Sequence, residues 1–325
     1  MLILGLQGSP RKAGNTDTFL TAFMKKAKDA GASVKTLQVA RSGITPCKGC
    51  GYCEKNGRCI IADDPMSREV YGLLRKADVV VAASPVFFYG ISAQLKGLID
   101  RSQTLWSRKY VYKLKDPMAS TRKGILFSVA ASRGRQLFDG IHLTTKYFFD
   151  AIDADFVHTM TYRGVEAKGA IEKCANFDSD IDAAINEIIV PLLDRKTVLF
   201  VSKQGTFRAP MAAAVTQVTY GEQVRTDFCG LEPTSEFDPS LLEKMEQEGV
   251  DMAYRRPQSF DQSNLGLEPD LTIILGEDIE KGDVPGKEKI EWPFSAGSLL
   301  ETELIDRVYA KINRFVRSLK PHFNE

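Results

Sequence analysis

Four of the six cysteines fall within a stretch of thirteen residues, Cys47, Cys50, Cys53 and Cys59, with the spacing C-x2-C-x2-C-x5-C. Thiolates this close in sequence can reach one compact centre, and four of them are the usual ligand set of a [4Fe-4S] cluster. Zinc is the competing metal, although two short gaps without a distant second pair are less like a structural zinc ribbon. A third reading leaves the thiols without metal. The apolar start, Met1 to Leu6, runs straight into Gly8-Ser9-Pro10-Arg11 with no cleavage-like stretch, so it reads as a buried strand rather than a signal peptide. A cytoplasmic location is therefore expected, where crowded cysteines point to metal or redox chemistry over a disulfide framework.

A second group of residues suits an anion. Gly8-Ser9-Pro10-Arg11-Lys12-Ala13-Gly14-Asn15-Thr16 lies between an apolar strand pattern and a helical one. Ser9, Asn15 and Thr16 offer small polar donors, Gly8 and Gly14 let backbone amides approach closely, and Arg11 supplies charge. Together they suit a terminal phosphate at a helix N-terminus. The plainer alternative is a turn that caps the helix. The loop is neither a Walker A motif, lacking the Gly-Lys-Ser/Thr ending, nor the dinucleotide Gly-x-Gly-x-x-Gly. A third strand pattern ends in Ser84-Pro85-Val86-Phe87-Phe88-Tyr89-Gly90, aromatics that can wall a flat ring or simply join the core.

These loops need a scaffold, and the chain supplies an alternation of strand and helix patterns typical of a parallel sheet. Residues 2–6, 33–39, 78–83, 124–129 and 156–162 read as strands, and 17–30, 65–76, 92–106, 137–152 and 178–193 as helices. The expected architecture is α/β, a flavodoxin-like doubly wound parallel sheet with ligands at the carboxyl ends of its strands. At Arg195-Lys196 the pattern restarts with a strand over 197–201, a loop and a helix from Pro210. Residues 236–248 then read as a helix, 271–275 as a strand and 301–319 as an amphipathic helix. The division predicted is a first domain over 1–195 and a smaller second α/β domain over 196–325.

Gly8-Ser9-Pro10-Arg11 with Gly14-Asn15-Thr16, then Ser84-Pro85-Val86-Phe87-Phe88 with Gln94-Leu95-Lys96 and Asp100-Arg101, resembles the NADPH-dependent FMN reductase superfamily over about the first 190 residues. The cysteine spacing resembles the iron-sulfur flavoproteins within it. The resemblance implies a homodimer or homotetramer with FMN as cofactor. Ser9, Arg11, Gly14, Asn15 and Thr16 would hold the phosphate. Pro85, Val86, Phe87, Phe88 and Tyr89 would flank the ring, and Ala131, Ser132, Arg133 and Gly134 would complete its edge. Cys47, Cys50, Cys53 and Cys59 would ligate a [4Fe-4S] cluster, and electrons would come from NAD(P)H or a small redox partner. Catalysis would be flavin-centred, with no protein acid–base pair, and His142 and His158 read as packing or surface residues.

The stretch from Thr197 to Ala212 resembles the opening of low-molecular-weight protein tyrosine phosphatases and related arsenate reductases. Residues 236–252 and 269–275 resemble later parts of the same families. Ser202 stands where the nucleophilic cysteine belongs, and a serine hydroxyl lacks the low pKa of a loop-bound thiolate. The Asp-Pro acid is not evident around residues 292–297. The second domain is therefore read as a phosphatase-like domain without phosphatase activity, whose loop of Ser202, Gly205 and Arg208 can still hold an oxyanion.

Composition narrows the partners. Lys+Arg 43 against Asp+Glu 42 leaves a net charge of +1, with no basic excess for nucleic acid. The longest apolar run, Ala77 to Tyr89, is broken at Ser84-Pro85 and falls short of the ~20 residues of a membrane helix. The function expected is an FMN-dependent oxidoreductase and electron-transfer iron-sulfur flavoprotein. The alternatives are a NAD(P)H-dependent FMN or quinone reductase without a cluster, and a redox-linked oxyanion sensor or interaction protein built on the second domain.

Overall fold

The computed structural model describes residues 1–263, 265, 268–276, 279–280, 282, 284–292 and 302–318. The chain divides into two compact units. One comprises Met1–Lys113 and Thr121–Leu193, the other Leu114–Ser120 and Asp194–Glu325.

The first unit contains β1 (Leu2–Gln7), α1 (Asn15–Asp29), β2 (Ser33–Gln38), α2 (Tyr52–Asn56), α3 (Tyr71–Lys76), β3 (Val79–Pro85), α4 (Ala93–Arg101), α5 (Gln103–Tyr110), β4 (Lys123–Ala130), α6 (Asp139–Ala151), β5 (Asp155–Arg163), α7 (Phe177–Ala184) and α8 (Val190–Leu193). Its five strands are parallel in the order β2-β1-β3-β4-β5, the flavodoxin-like arrangement. The inner strands β1, β3 and β4 are almost wholly buried, as their continuous apolar runs require. The edge strands β2 and β5 are largely exposed.

Aromatic packing seats α1 on the sheet. Phe19 stacks on Phe127 of β4 with centroids 4.3 Å apart, and Phe23 meets the same ring edge-on at 5.1 Å. Burying each such side chain stabilises the unit by roughly 1.5–3 kcal/mol. Gly124 is where β4 passes beneath α6, since a Cβ there would stand 2.5 Å from the Phe149 ring. At the amino end of the sheet the buried guanidinium of Arg122 donates to the carbonyls of Ala77 at 3.0 Å, Ile152 at 2.7 Å and Arg75 at 2.9 Å.

Three expected helices differ in detail, and the one over 65–76 opens with a π-helical turn at Met66–Val70 before α3. The one over 92–106 is two, α4 and α5, because the Ser102 amide bonds both Leu98 and Ile99 and tightens the last turn of α4. The one over 178–193 runs through a π-helical turn at Ile185–Ile189 before α8. That wider turn precedes Pro191, which has no N–H to give to an ordinary helix and would crowd the carbonyl four residues back.

The second unit contains β6 (Lys196–Ser202), α9 (Arg208–Tyr220), β7 (Val224–Gly230), α10 (Pro239–Gln247), β8 (Leu271–Leu275), β9 (Glu288–Trp292) and α11 (Thr302–Ser318). Its strands are parallel in the order β7-β6-β8-β9. Val198, Phe200 and Ile273 pack with Ala212, Leu241, Met245, Ile312 and Val316 in one core. The strands β7 and β9 are absent from the sequence reading. In β7 the polar residues Arg225, Thr226 and Asp227 mask the strand pattern.

The seam at 195 did not anticipate the excursion Leu114–Ser120, which the second unit holds. Lys115 exchanges backbone hydrogen bonds with Gly249 and Asp251, both at 2.9 Å. Buried Asp116 pairs with Arg255 at 3.0 Å.

Candidate functional site

At the carboxyl end of β1 the chain turns into α1, and Gly8 lets it pass. A Cβ at Gly8 would lie 2.9 Å from both the Ala83 carbonyl oxygen and the Leu95 Cβ. The loop is braced from below. Gln7 accepts from the Ser9 amide at 2.9 Å and donates to Asp17 at 3.0 Å, while the Ala13 amide donates to the other oxygen of Asp17 at 3.0 Å. The Arg11 amide donates to Ser9 Oγ at 3.3 Å. Gly14 is the N-cap of α1, in extended conformation, and no side chain caps the helix. First-turn amides without a side-chain acceptor, with Arg11 and Lys12 beside them, are a ready anion cradle.

A cavity of about 180 Å³ opens on this cradle. Of the residues expected there, Ser9, Arg11, Gly14, Asn15, Thr16, Pro85, Val86, Phe87 and Ala131 line it. Ser9 and Thr16 are buried and Arg11 is exposed. The Asn15 carboxamide is committed elsewhere, donating to the Ala167 carbonyl at 2.9 Å and accepting from the Ile171 amide at 3.4 Å. It thereby holds the 165–171 loop against the start of α1.

Phe88 and Tyr89 do not line the cavity. Phe87 and Gly90 exchange backbone hydrogen bonds at 2.9 Å, so Phe88 and Tyr89 form the two-residue tip of a tight hairpin, with φ of 47° and 61°. Left-handed backbone at two bulky residues costs on the order of 1–2 kcal/mol each. Phe88 is fully exposed. Gly140 accommodates the tip, since a Cβ there would meet the Tyr89 carbonyl oxygen at 2.5 Å.

Ser132, Arg133 and Gly134 also lie off the cavity lining, turned to the end of β5. The Ser132 carbonyl accepts from the Gly164 amide at 3.1 Å, and the Gly134 carbonyl from Arg163 at 3.3 Å. Lys12, Ala13 and Val129 complete the near side of the lining, and the far wall, Val165, Glu166 and Lys168, was missed by sequence reasoning. Its signal was Gly164, at φ 70°, which ends β5 and turns the chain.

Three buried serines join the two loops. Ser92 Oγ donates to the Gly8 carbonyl at 2.6 Å, the Ser92 amide donates to Ser84 Oγ at 3.0 Å, and Ser128 Oγ donates to the Ser84 carbonyl at 2.8 Å. Each hydroxyl that bonds a loop carbonyl satisfies a group that would otherwise be buried without a partner.

The cysteine segment runs from an irregular stretch into α2. Cys47 and Cys50 are exposed, Cys53 and Cys59 half-buried, and none is in a disulfide. Gly49, Gly51 and Gly57 all take left-handed backbone, and the Gly49 amide points at Cys47 Sγ at 3.4 Å. Four free thiols with an amide directed at sulfur fit the donor chemistry of an iron-sulfur cluster. Among the described residues no three His, Cys, Asp or Glu side chains are grouped to hold a metal ion. His142 and His158 lie on α6 and β5, and the His142 ring packs on Phe156 at 4.8 Å.

In the second unit Ser202, Gly205 and Arg208 share the loop from β6 to α9. The Gly205 amide donates to Ser202 Oγ at 3.2 Å, and Gly205 must be glycine, with φ 65° and the Gly230 amide 2.7 Å from any Cβ. Cys229, on neighbouring β7, is buried, and burial pushes its thiol up to about 12, so it stays protonated and unreactive near neutral pH. The expected missing acid at 293–297 lies outside the described residues. No helix among the described residues is long and apolar enough to cross a membrane.

The model of the NADPH-dependent FMN reductase family matches residues 1–147. An iron-sulfur flavoprotein of Methanosarcina thermophila is 36% identical over 133 residues, which are 41% of this chain and 65% of that protein. One of Methanocaldococcus jannaschii is 30% identical over 189 residues, 57% of this chain and 93% of that protein. The solved structure of an arsenate reductase from Archaeoglobus fulgidus is 23% identical with a TM-score of 0.32, over 38% of this chain and 97% of that one. Given near-complete coverage of the M. jannaschii protein, and a family match across the strands β1, β3 and β4 that build the cavity, this chain belongs to the iron-sulfur flavoproteins, a family of FMN-dependent oxidoreductases.

Proposed function

We propose that the first unit binds FMN with its phosphate on the first-turn amides of α1 and its ring against Pro85, Val86, Phe87 and Ala131, and that it passes electrons between a reduced donor and an acceptor. The observation that carries this is the uncapped N-terminus of α1 opening on a cavity whose other wall is the end of β3. When bound, FMN supplies both hydride and single-electron exchange. Ser9 and Thr16 supply hydroxyls to the phosphate, Arg11 and Lys168 offset its charge, and the Pro85–Phe87 backbone sets the plane of the ring. The donor is NAD(P)H or a small redox protein, and the working form is a homodimer or homotetramer. Cys47, Cys50, Cys53 and Cys59 take up a [4Fe-4S] cluster that exchanges single electrons with the flavin site.

The second unit is a phosphatase-like module that has lost its nucleophile and keeps an oxyanion loop at Ser202, Gly205 and Arg208. Purified anaerobically, the protein is expected to show oxidised-flavin absorption together with iron and labile sulfide, and to leave an aryl phosphate intact. A second reading rests on the four thiols, which among the described residues form no group of three set to hold a metal ion: a NAD(P)H-dependent flavin or quinone reductase without metal. Flavin reduction by NADPH in iron-free protein would favour it.

A further inference from the structure

The cysteine segment is irregular over most of its length, yet both of its ends are held by one buried side chain. Arg101, the last residue of α4, donates to the Thr45 carbonyl at 2.8 Å and the Ile61 carbonyl at 3.2 Å. These are the residues just outside the outer cysteines. The same guanidinium forks onto Asp64, at 2.6 and 3.1 Å, and reaches Ser67 Oγ at 3.1 Å. Asp64 closes the frame by accepting from the Thr45 amide at 3.0 Å and the Ser67 amide at 3.2 Å. Inside the segment, Arg108 donates to the Gly57 carbonyl at 3.2 Å, at the end of α2.

The other end of α4 is fixed as well. Its N-cap Ser92 accepts from the Leu95 amide at 3.3 Å and donates to the Gly8 carbonyl of the phosphate-type loop at 2.6 Å. Nine helical residues span roughly 14 Å. One short helix therefore joins the mouth of the cavity to the stem of the cysteine segment.

We propose that Arg101 is a positioning residue for the four cysteines: its guanidinium, with Asp64, pins the stem at Thr45 and Ile61, so that the four thiols converge at a fixed distance from the FMN cavity when metal loads. This rests on the cluster reading above for its metal arm, and on hydrogen-bond geometry alone for the rest. Two guanidinium nitrogens here reach five acceptors, including both carboxylate oxygens, and the three donors of a single ammonium cannot serve them all, so lysine cannot substitute.

The test uses the full chain loaded with FMN and compares wild type with Arg101→Lys and the milder Ser67→Ala. Backbone hydrogen exchange is followed over 45–61, the alkylation rate of the four thiols is measured, and iron and sulfide are counted after anaerobic reconstitution with ferrous iron and sulfide. Exchange over 45–61 is expected to rise about tenfold in Arg101→Lys, as loss of a charged hydrogen-bond hub implies, and less in Ser67→Ala. Alkylation should quicken and iron per chain fall, while exchange over 8–16 and FMN affinity stay at wild type. Unchanged exchange, alkylation and iron uptake in both variants overturns the proposal. If Arg101→Lys loses flavin and fold together, Ser67→Ala decides by the same three readouts. Wild type that takes up no iron refutes the cluster reading alone, and the exchange and alkylation arms then decide on Arg101.

Discussion

The carboxamide of Asn15, at the start of α1, donates to the carbonyl of Ala167 at 2.9 Å, tying the first turn of the first helix to the loop that follows the last strand of the same sheet. The cavity thus has a wall that sequence neighbours cannot supply. Asn15→Ala removes three neutral hydrogen bonds, to the Val165 and Ala167 carbonyls and from the Ile171 amide, each worth about 1 kcal/mol or less, and is predicted to weaken FMN binding roughly tenfold. Asn15→Asp, which keeps only the acceptor for Ile171, should fall at least as far, since it places a negative charge beside the phosphate. Fluorescence titration with FMN measures both, and equal affinity for wild type and Asn15→Ala would contradict this role.

Gly8 carries a steric prediction. Any side chain at this position must displace the Ala83 carbonyl or Leu95, each 2.9 Å from a Cβ. Gly8→Ala should destabilise the first unit by about 1–3 kcal/mol, the range for overpacking, and weaken FMN binding as the loop shifts. Thermal melting followed by flavin release reads both effects.

At the opposite end of the sheet, Arg122 serves structure alone. Arg122→Met leaves the carbonyls of Ala77, Ile152 and Arg75 buried without that donor. A loss of roughly 1–3 kcal/mol for each carbonyl left without a donor is expected, with the flavin spectrum of the protein that remains folded unchanged. Chemical denaturation against absorption at the flavin band separates the two.

The Asp64–Arg101 pair gives a pH dependence. Burial opposes ionisation of Asp64, but hydrogen bonds from Arg101 and from the Thr45 and Ser67 amides outweigh it and hold the carboxyl below its ordinary value. A carboxylate lowered in the folded state contributes stability that is fully present above its unfolded pKa, and that contribution is lost as pH falls through the folded one. Hydrogen exchange over 45–61, corrected for its intrinsic pH dependence, should therefore be flat from neutral pH down to about 4 and rise only at more acid values. In Asp64→Asn it should be raised throughout. A rise between pH 5 and 7 in wild type would contradict the pairing.

Much of the scaffold was legible because parallel strands buried on both faces leave unbroken apolar runs, as at Val79 to Ala83. The turn at Gly8 to Thr16 was legible as a close passage from strand to helix because glycine is what lets the chain pass Ala83 and Leu95 there. Other parts were hidden for identifiable reasons. Phe88 and Tyr89 look like ring-flanking aromatics, but the hydrogen bonds between Phe87 and Gly90 turn them outward, and no rule for hairpin tips selects Phe-Tyr. Val165, Glu166 and Lys168 reach the cavity through tertiary contacts, with Asn15 some 150 residues away in sequence and with the Ala130 carbonyl at the end of β4. Leu114–Ser120 belongs with the second unit through Asp116 and Arg255, a long-range pairing without a local pattern.

The most direct test of the central claim is a titration of the flavin-free full chain with FMN, followed by quenching of flavin fluorescence and repeated with riboflavin. Binding of one FMN per chain, with riboflavin at least a hundredfold weaker, is the result predicted if the α1 amides and Arg11 hold a phosphate. Equal affinity for the two flavins, or no binding of either, would contradict it.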